Sequence, residues 1–201
     1  MKAVTAEARR KGKRVSAHIG SAEATCLAVE AGIDTIEHGV LLDERAVAMM
    51  VEAGSYLCPT IAVYDHIINE GPALGYPGYM VEKAAAVFSK HHASFRMALE
   101  AGVRMIAGTD GGPSNWPLGL LARELEWMVR LGMDTRAALA SATSTAAECL
   151  GLGDEIGAIA PGMAADLLIV RGDPLQDISA LGNVVAVVRA GRLVRWRGMP
   201  M

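Results

Sequence analysis

The chain has 201 residues, 52% of them hydrophobic and 4% aromatic, with three cysteines and a formal net charge of −3. That length holds one domain with a real core, alone or with a small appendage, and such a composition excludes a disordered chain. A net negative charge offers phosphate no attractive field, so nucleic acid is not an expected partner.

The first element is basic. Met1–Arg14 carries six Lys and Arg residues interleaved with Ala3, Val4, Ala6 and Ala8, which reads as a solvated helix face rather than a binding patch. It lacks the continuous apolar run and cleavage site of a secretory signal, and no stretch reaches the ~18 to 20 apolar residues that span a bilayer. No membrane partner is expected. Cys26, Cys58 and Cys149 lie far apart without a CxxC pair, which fits reduced thiols in a cytoplasmic protein. Cys58, ahead of Pro59, is expected to be a small buried hydrophobe.

A short strand at Arg14–Ala17 leads into His18. A repeat then sets the organisation: Val29-Glu30-Ala31-Gly32, Val51-Glu52-Ala53-Gly54 and Leu99-Glu100-Ala101-Gly102 each close a helix-like stretch on a glycine, the residue for which positive φ is cheap. The helices are Ser21–Glu30, Asp43–Glu52 and Tyr79–Glu100. The strands that follow are Ile33–Glu37, Ser55–Cys58 and Val103–Ala107. The resulting β-α-β-α-β-α-β order requires a parallel sheet. His18, His38, Thr60 and Asp110 all fall where its strands end, the placement expected for the active face of a β/α barrel. Four strands make half of such a barrel.

Pro117–Leu131 and Asp134–Leu150 read as two further helices, the second with Asp134 and Thr135 as capping candidates. From Gly151 onward, glycines and prolines punctuate short β segments at Asp166–Val170, Val184–Arg189 and Arg192–Trp196, with Ala190-Gly191 as a hairpin turn. The fold class expected is therefore α/β, a half (β/α) barrel over residues 1–150 followed by a small β-element over 151–201.

Two imidazoles and a carboxylate at strand ends point to a zinc-type hydrolytic site, with His18, His38 and Asp110 as ligands. Neutral imidazoles and a carboxylate suit zinc, manganese or iron. A bound divalent metal lowers the pKa of its water from near 16 to about 7, and Asp110 beside that water could carry its proton to a leaving nitrogen. Asp110 is thus the catalytic candidate. Glu37 is expected to point away from the barrel axis if His38 points inward, because strand side chains alternate. His91 and His92 fall within a helix and read as surface or packing residues, while His66 lies in a loop with its role open. The Thr60–Gly78 connection is long for a βα loop, and such loops form lids or substrate walls. Within it Tyr64 is the first candidate for substrate contact, against simple packing. Gly111–Pro117, with Ser114, Asn115 and Trp116, is a second candidate wall, from which Ser114 and Trp116 are the substrate-binding residues expected.

Ala17-His18, Glu37-His38-Gly39 and Gly108-Thr109-Asp110 are followed by Ser144-Thr145-Ala146-Ala147 and by Gly157-Ala158-Ile159-Ala160-Pro161-Gly162-Met163-Ala164-Ala165-Asp166-Leu167. In this order the motifs resemble the C-terminal half of the amidohydrolase superfamily, imidazolonepropionase-like branch, from before His18 to the last hairpin. The resemblance implies a TIM (β/α)8 barrel represented by strands five to eight. His18 would end the fifth strand, His38 the sixth and Asp110 the eighth, all three binding metal and Asp110 taking the proton of the attacking water. That family's first strand bears a His-x-His pair and its fourth usually a carboxylated lysine. Neither occurs here, and Lys2, Lys11 and Lys13 precede the fifth strand too closely to substitute.

A half-barrel would leave apolar edges at Arg14–Ala17 and Val103–Ala107, which invite pairing with another chain. Either a missing N-terminal half completes it, the reading preferred because the sequence starts inside a helix-like stretch, or two copies pair edge to edge. The expected activity is metal-dependent hydrolysis of a C–N bond in an amide, cyclic amide or dipeptide-like small molecule, with this chain a C-terminal fragment inactive by itself. The alternative is a non-catalytic half-barrel subunit or scaffold that binds at most one metal through His18, His38 and Asp110.

Overall fold

The computed structural model describes residues 1–112 and 119–196. Helix α1 (Lys2–Arg10) precedes a four-stranded parallel sheet in the order β1 (Ser16–Ile19), β2 (Thr35–His38), β3 (Tyr56–Cys58) and β4 (Arg104–Met105). Helices α2 (Ala22–Glu30) and α3 (Glu44–Ala53) make the first two crossovers. The third crossover is a pair, α4 (Ile61–Asn69) and α5 (Gly78–Glu100). Beyond β4 come α6 (Leu121–Arg130), α7 (Thr135–Ser141) and α8 (Ser144–Leu150), and then an antiparallel sheet of β5 (Leu167–Val170), β6 (Val184–Arg189) and β7 (Arg192–Trp196).

Local chemistry explains most of these boundaries. Ser21 and Asp43 accept hydrogen bonds from Ala24 N–H and Ala46 N–H at 3.3 and 2.8 Å and so start α2 and α3, and Asp134 caps α7 through Arg136 N–H at 2.9 Å, as N-cap oxygens do for otherwise orphaned amides. At the other ends of the helices Gly32, Gly54 and Gly102 have φ of 82°, 67° and 81°, the left-handed turn that glycine adopts without a Cβ penalty. The core lies between one face of the sheet and its helices. Ile36, Leu57 and Met105 meet Phe95, Met50 and Met128 there, all almost fully buried.

Three elements depart from the sequence-based reading. The Thr60–Gly78 connection is largely helical, because α4 draws its N-terminal cap from Glu124, sixty residues away, instead of from a neighbour. No local capping signal announces it. The helix expected over Asp134–Leu150 breaks at Ala142–Thr143 into α7 and α8, where Thr143 leaves the helical region and its hydroxyl bonds back to Leu139 C=O at 2.7 Å. The fourth strand pairs over only two residues; beyond them Ile106 N–H donates to Leu57 C=O and Ala107 N–H turns aside to Ser141 C=O, each at 2.9 Å. No helix among the described residues is long and apolar enough to cross a membrane.

Candidate active site

The carboxyl ends of the parallel strands converge on one mouth, and the backbone there is bent against its preferences. His38, Thr60 and Asp110, at or just beyond the ends of β2, β3 and β4, have φ of 69°, 52° and 49°. Such left-handed conformations cost a residue with a side chain roughly 1–2 kcal/mol, most of all a β-branched threonine. They persist where surrounding contacts over-determine them, and they cluster at functional sites.

The bend at His38 decides which side chains meet. His18 is paired in register with Glu37, and Glu37 with Cys58, so these three project from the same face of the sheet, opposite to Ile36 and Leu57. Ser16 lies two residues before His18 on that face, and its hydroxyl donates to Glu37 Oε1 at 2.5 Å. The expectation that Glu37 points away from the barrel axis is therefore corrected: it shares the face of His18. Simple alternation fails because His38 leaves the strand at a left-handed residue and swings its ring toward the face it should have avoided. The result is direct contact: His38 Nε2 and His18 Nδ1 are 2.7 Å apart, with the rings edge to face.

His38 is held on three sides. Its Nδ1 meets the Thr60 hydroxyl at 2.6 Å, and its carbonyl accepts from Nε2–H of His91 on α5 at 3.0 Å. The Tyr64 ring stands edge-on at 6.3 Å between centroids and packs on His91 at 4.9 Å. Burial lowers the pKa of His38, the adjacent His18 acts in the same direction, and the carboxylates of Asp110 and Glu37 oppose both. The ring is thus kept neutral, the form a metal ligand needs. Burial also brings His91 down to about 4, leaving a neutral ring whose single N–H is committed to the His38 carbonyl. Cys58 is buried, and burial followed by the nearby Glu37 carboxylate raises its thiol, so it remains a protonated packing group.

The mouth opens into a cavity of about 480 Å³. His18, His38, Tyr64 and Asp110 line it together with Lys83 and the apolar side chains of α4 and α5. Burial, followed by the charge of Asp110, raises the pKa of the Tyr64 phenol, keeping it neutral. Ser114 and Trp116 lie outside the described residues. At the strand ends, glycine is needed for close approach: a Cβ at Gly108 would run into the Cys58 sulfur, and one at Gly39 would stand 2.7 Å from Leu57 Cδ1.

The donor set can be weighed against a divalent metal. His18 and His38 supply two facing ring nitrogens, one of them already braced by a hydroxyl as metal-bound imidazoles usually are. Two nitrogens on one tetrahedral zinc sit roughly 3.4 Å apart, so a small separation of the rings admits an ion. Asp110 shares the cavity wall, and among the described residues no group of three His, Cys, Asp or Glu side chains is already gathered for an ion. The pair fits a metal as part of a larger ligand set.

Sequence reading missed Glu124, which carried no local signal at all; His91 is buried and packed, as expected of it, and also bonds the His38 carbonyl. His66 proves to be a buried member of α4, its Nδ1 2.9 Å from Glu70. Arg123 of α6 pairs with both Asp65 and Glu70, joining α6 to α4.

A parallel β/α sheet with imidazole and acid groups at one mouth defines a class of barrel-type α/β proteins. Within that class the chain belongs to the amidohydrolase family, whose model matches residues 1–194. An uncharacterised protein of Mycobacterium tuberculosis is 34% identical over 96% of this chain and 50% of its own length. Ochratoxinase of Aspergillus niger is 29% identical, over 99% of this chain and 42% of its own. Imidazolonepropionases of Symbiobacterium thermophilum and Chloroflexus aggregans also match. Among solved structures, a Xaa-Pro dipeptidase with methionine bound in its active site superimposes with a TM-score of 0.86 at 37% identity, covering 96% of this chain and 47% of the dipeptidase. The chain spans about half the length of the curated relatives it matches.

Proposed function

We propose that this chain carries the C-terminal half of a metal-dependent amidohydrolase that cleaves a C–N bond in an amide, cyclic amide or dipeptide-like small molecule. The observation that carries the reading is the meeting of His18 and His38 at 2.7 Å beside a cavity that Asp110 also lines. The relatives named ochratoxinase and Xaa-Pro dipeptidase support it.

In this reading β1 to β4 are strands five to eight of the barrel, residues 1–150 form the half-barrel and 151–201 the small β-element. His18, His38 and Asp110 would hold a divalent metal, zinc in the first instance with manganese or iron as alternatives. When bound, the metal supplies an acidified water and polarises the scissile carbonyl. The chain's own groups do the rest. Asp110, exposed at the cavity rim on a left-handed turn, takes the proton from the attacking water and returns it to the leaving nitrogen. Tyr64, neutral and half-buried between His38 and the cavity, contacts the substrate, a role proposed also for Ser114 and Trp116. The apolar sides of α4 and α5 exclude water from the scissile bond. β1 and β4 each pair on one side only among the described residues, and those edges receive either an N-terminal half or a second copy.

The test is metal analysis and hydrolysis of N-acyl amino acids and Xaa-Pro dipeptides, with and without the N-terminal half of a full-length relative. Metal bound by the chain and lost in His18→Ala, with hydrolysis only after complementation, supports the proposal. Metal binding with no hydrolysis after complementation would favour the non-catalytic subunit.

A further inference from the structure

Glu124, on α6, is an acidic side chain with no exposure to solvent that reaches across to a different helix. Its two oxygens accept from the backbone N–H groups of Ile61 and Ala62 at 3.0 and 2.6 Å. Those are first-turn amides of α4, which has no side-chain cap of its own. Immediately before them stands Thr60, held left-handed, whose hydroxyl meets His38 Nδ1. A buried acid could be replaced by an apolar side chain if packing were all it supplied. Here its two oxygens hold the amides that directly follow Thr60, the residue that contacts His38 Nδ1.

We infer that Glu124 is a positioning residue for the candidate centre: by clamping the first turn of α4 it forces Thr60 into its left-handed bend, aims the Thr60 hydroxyl at His38 Nδ1, and so leaves His38 Nε2 free to face His18. The tautomer is the functional point. Ligation through Nε2 requires the proton on Nδ1, and the hydrogen bond at one ring nitrogen decides the state of the other. The Thr60 oxygen accepts that proton only while the backbone holds it in place. The inference rests on the proposed metal role of His38, although the tautomer itself can be read without any metal.

The experiment compares the 201-residue chain with Glu124→Gln, Thr60→Val, Thr60→Ser and the Glu124→Gln/Thr60→Val double variant. Glutamine keeps the volume but sets an NH2 against one of the two backbone donors. Ring 15N shifts of His38 are measured in metal-free protein, zinc affinity by competition with a chromophoric chelator, and folding by thermal melting. Glu124→Gln and Thr60→Val are each expected to shift the ring signals toward Nε2–H and to weaken zinc by about 10- to 100-fold, the usual cost of losing a supporting group. Thr60→Ser should keep both properties, and the double variant should be no worse than either single one. A lowered melting temperature in Glu124→Gln with unchanged ring signals and zinc affinity would reduce Glu124 to a helix cap and overturn the inference. If wild type binds no zinc, the metal reading fails and the ring signals alone decide the relay. If Glu124→Gln does not fold, Glu124→Asp, which withdraws both acceptors by one methylene and keeps the carboxyl group, takes its place with the same two outcomes.

Discussion

The two ends of the parallel sheet solve one geometric problem in opposite ways. Where helices hand over to strands, the left-handed residues are Gly32, Gly54 and Gly102; where strands hand over to loops and helices, they are, besides Gly39, the side-chain-bearing His38, Thr60 and Asp110. The first set costs nothing beyond the loose chain it leaves in the unfolded state. The second set is strained, and each strained residue carries a ring, a hydroxyl or a carboxylate onto the same mouth. One end of the sheet is built for stability. The other holds its polar groups in place by buried contacts such as His91 and Glu124.

The largest effect that would sharpen this contrast is on metal. Replacing His38 with alanine should weaken zinc more than about 100-fold, since even supporting groups cost 10- to 100-fold, while Gly102→Ala at the opposite end should leave zinc affinity unchanged. Isothermal titration of both variants checks the pair.

Next comes the pH dependence of stability, which arises from the buried groups at the strained end. His91 stays neutral in the fold down to about 4, whereas the unfolded chain takes up the proton near 6.5. Its contribution is present above pH 6.5 and is lost as pH falls toward 4, on the order of 3 kcal/mol. Glu124 has the opposite sign. Burial raises it to about 7 against the pull of the α4 amides, so its contribution is full below about pH 4.5 and is lost as pH rises to about 7. Denaturant titrations between pH 4 and 7 should show His91→Gln losing the acid-side fall and Glu124→Gln steepening it. Equal slopes in all three proteins would remove the electrostatic half of the contrast.

Smaller effects test the backbone itself. A Cβ at Gly54 meets open space, so Gly54→Ala should cost only the left-handed strain, about 1–2 kcal/mol, read as a lower urea midpoint. Asp110→Gly removes a side chain from a left-handed turn where it has no packing to lose. Stability should hold or rise by up to about 0.5 kcal/mol, while hydrolysis by the complemented protein should fall by about 10²- to 10⁴-fold with loss of the proton carrier.

The helix starts at Ser21, Asp43 and Asp134 and the helix ends before Gly32, Gly54 and Gly102 were legible from residues alone, because a cap and a glycine turn act within four residues of where they stand. The parallel order of the four strands followed from the same punctuation, and His18, His38, Thr60 and Asp110 were visible as strand-end residues. Helix α4 was hidden, since its cap arrives from Glu124 on another helix. So was the inward turn of Glu37, since alternation holds only while the backbone stays extended and His38 departs from it. Sequence by itself determined where the chain turns and which faces are apolar, as those depend on local dihedral cost and on burial patterns of period two or three to four. Only the tertiary structure decided that an imidazole pair forms and which buried groups brace it, because those contacts join residues 20 to more than 60 positions apart.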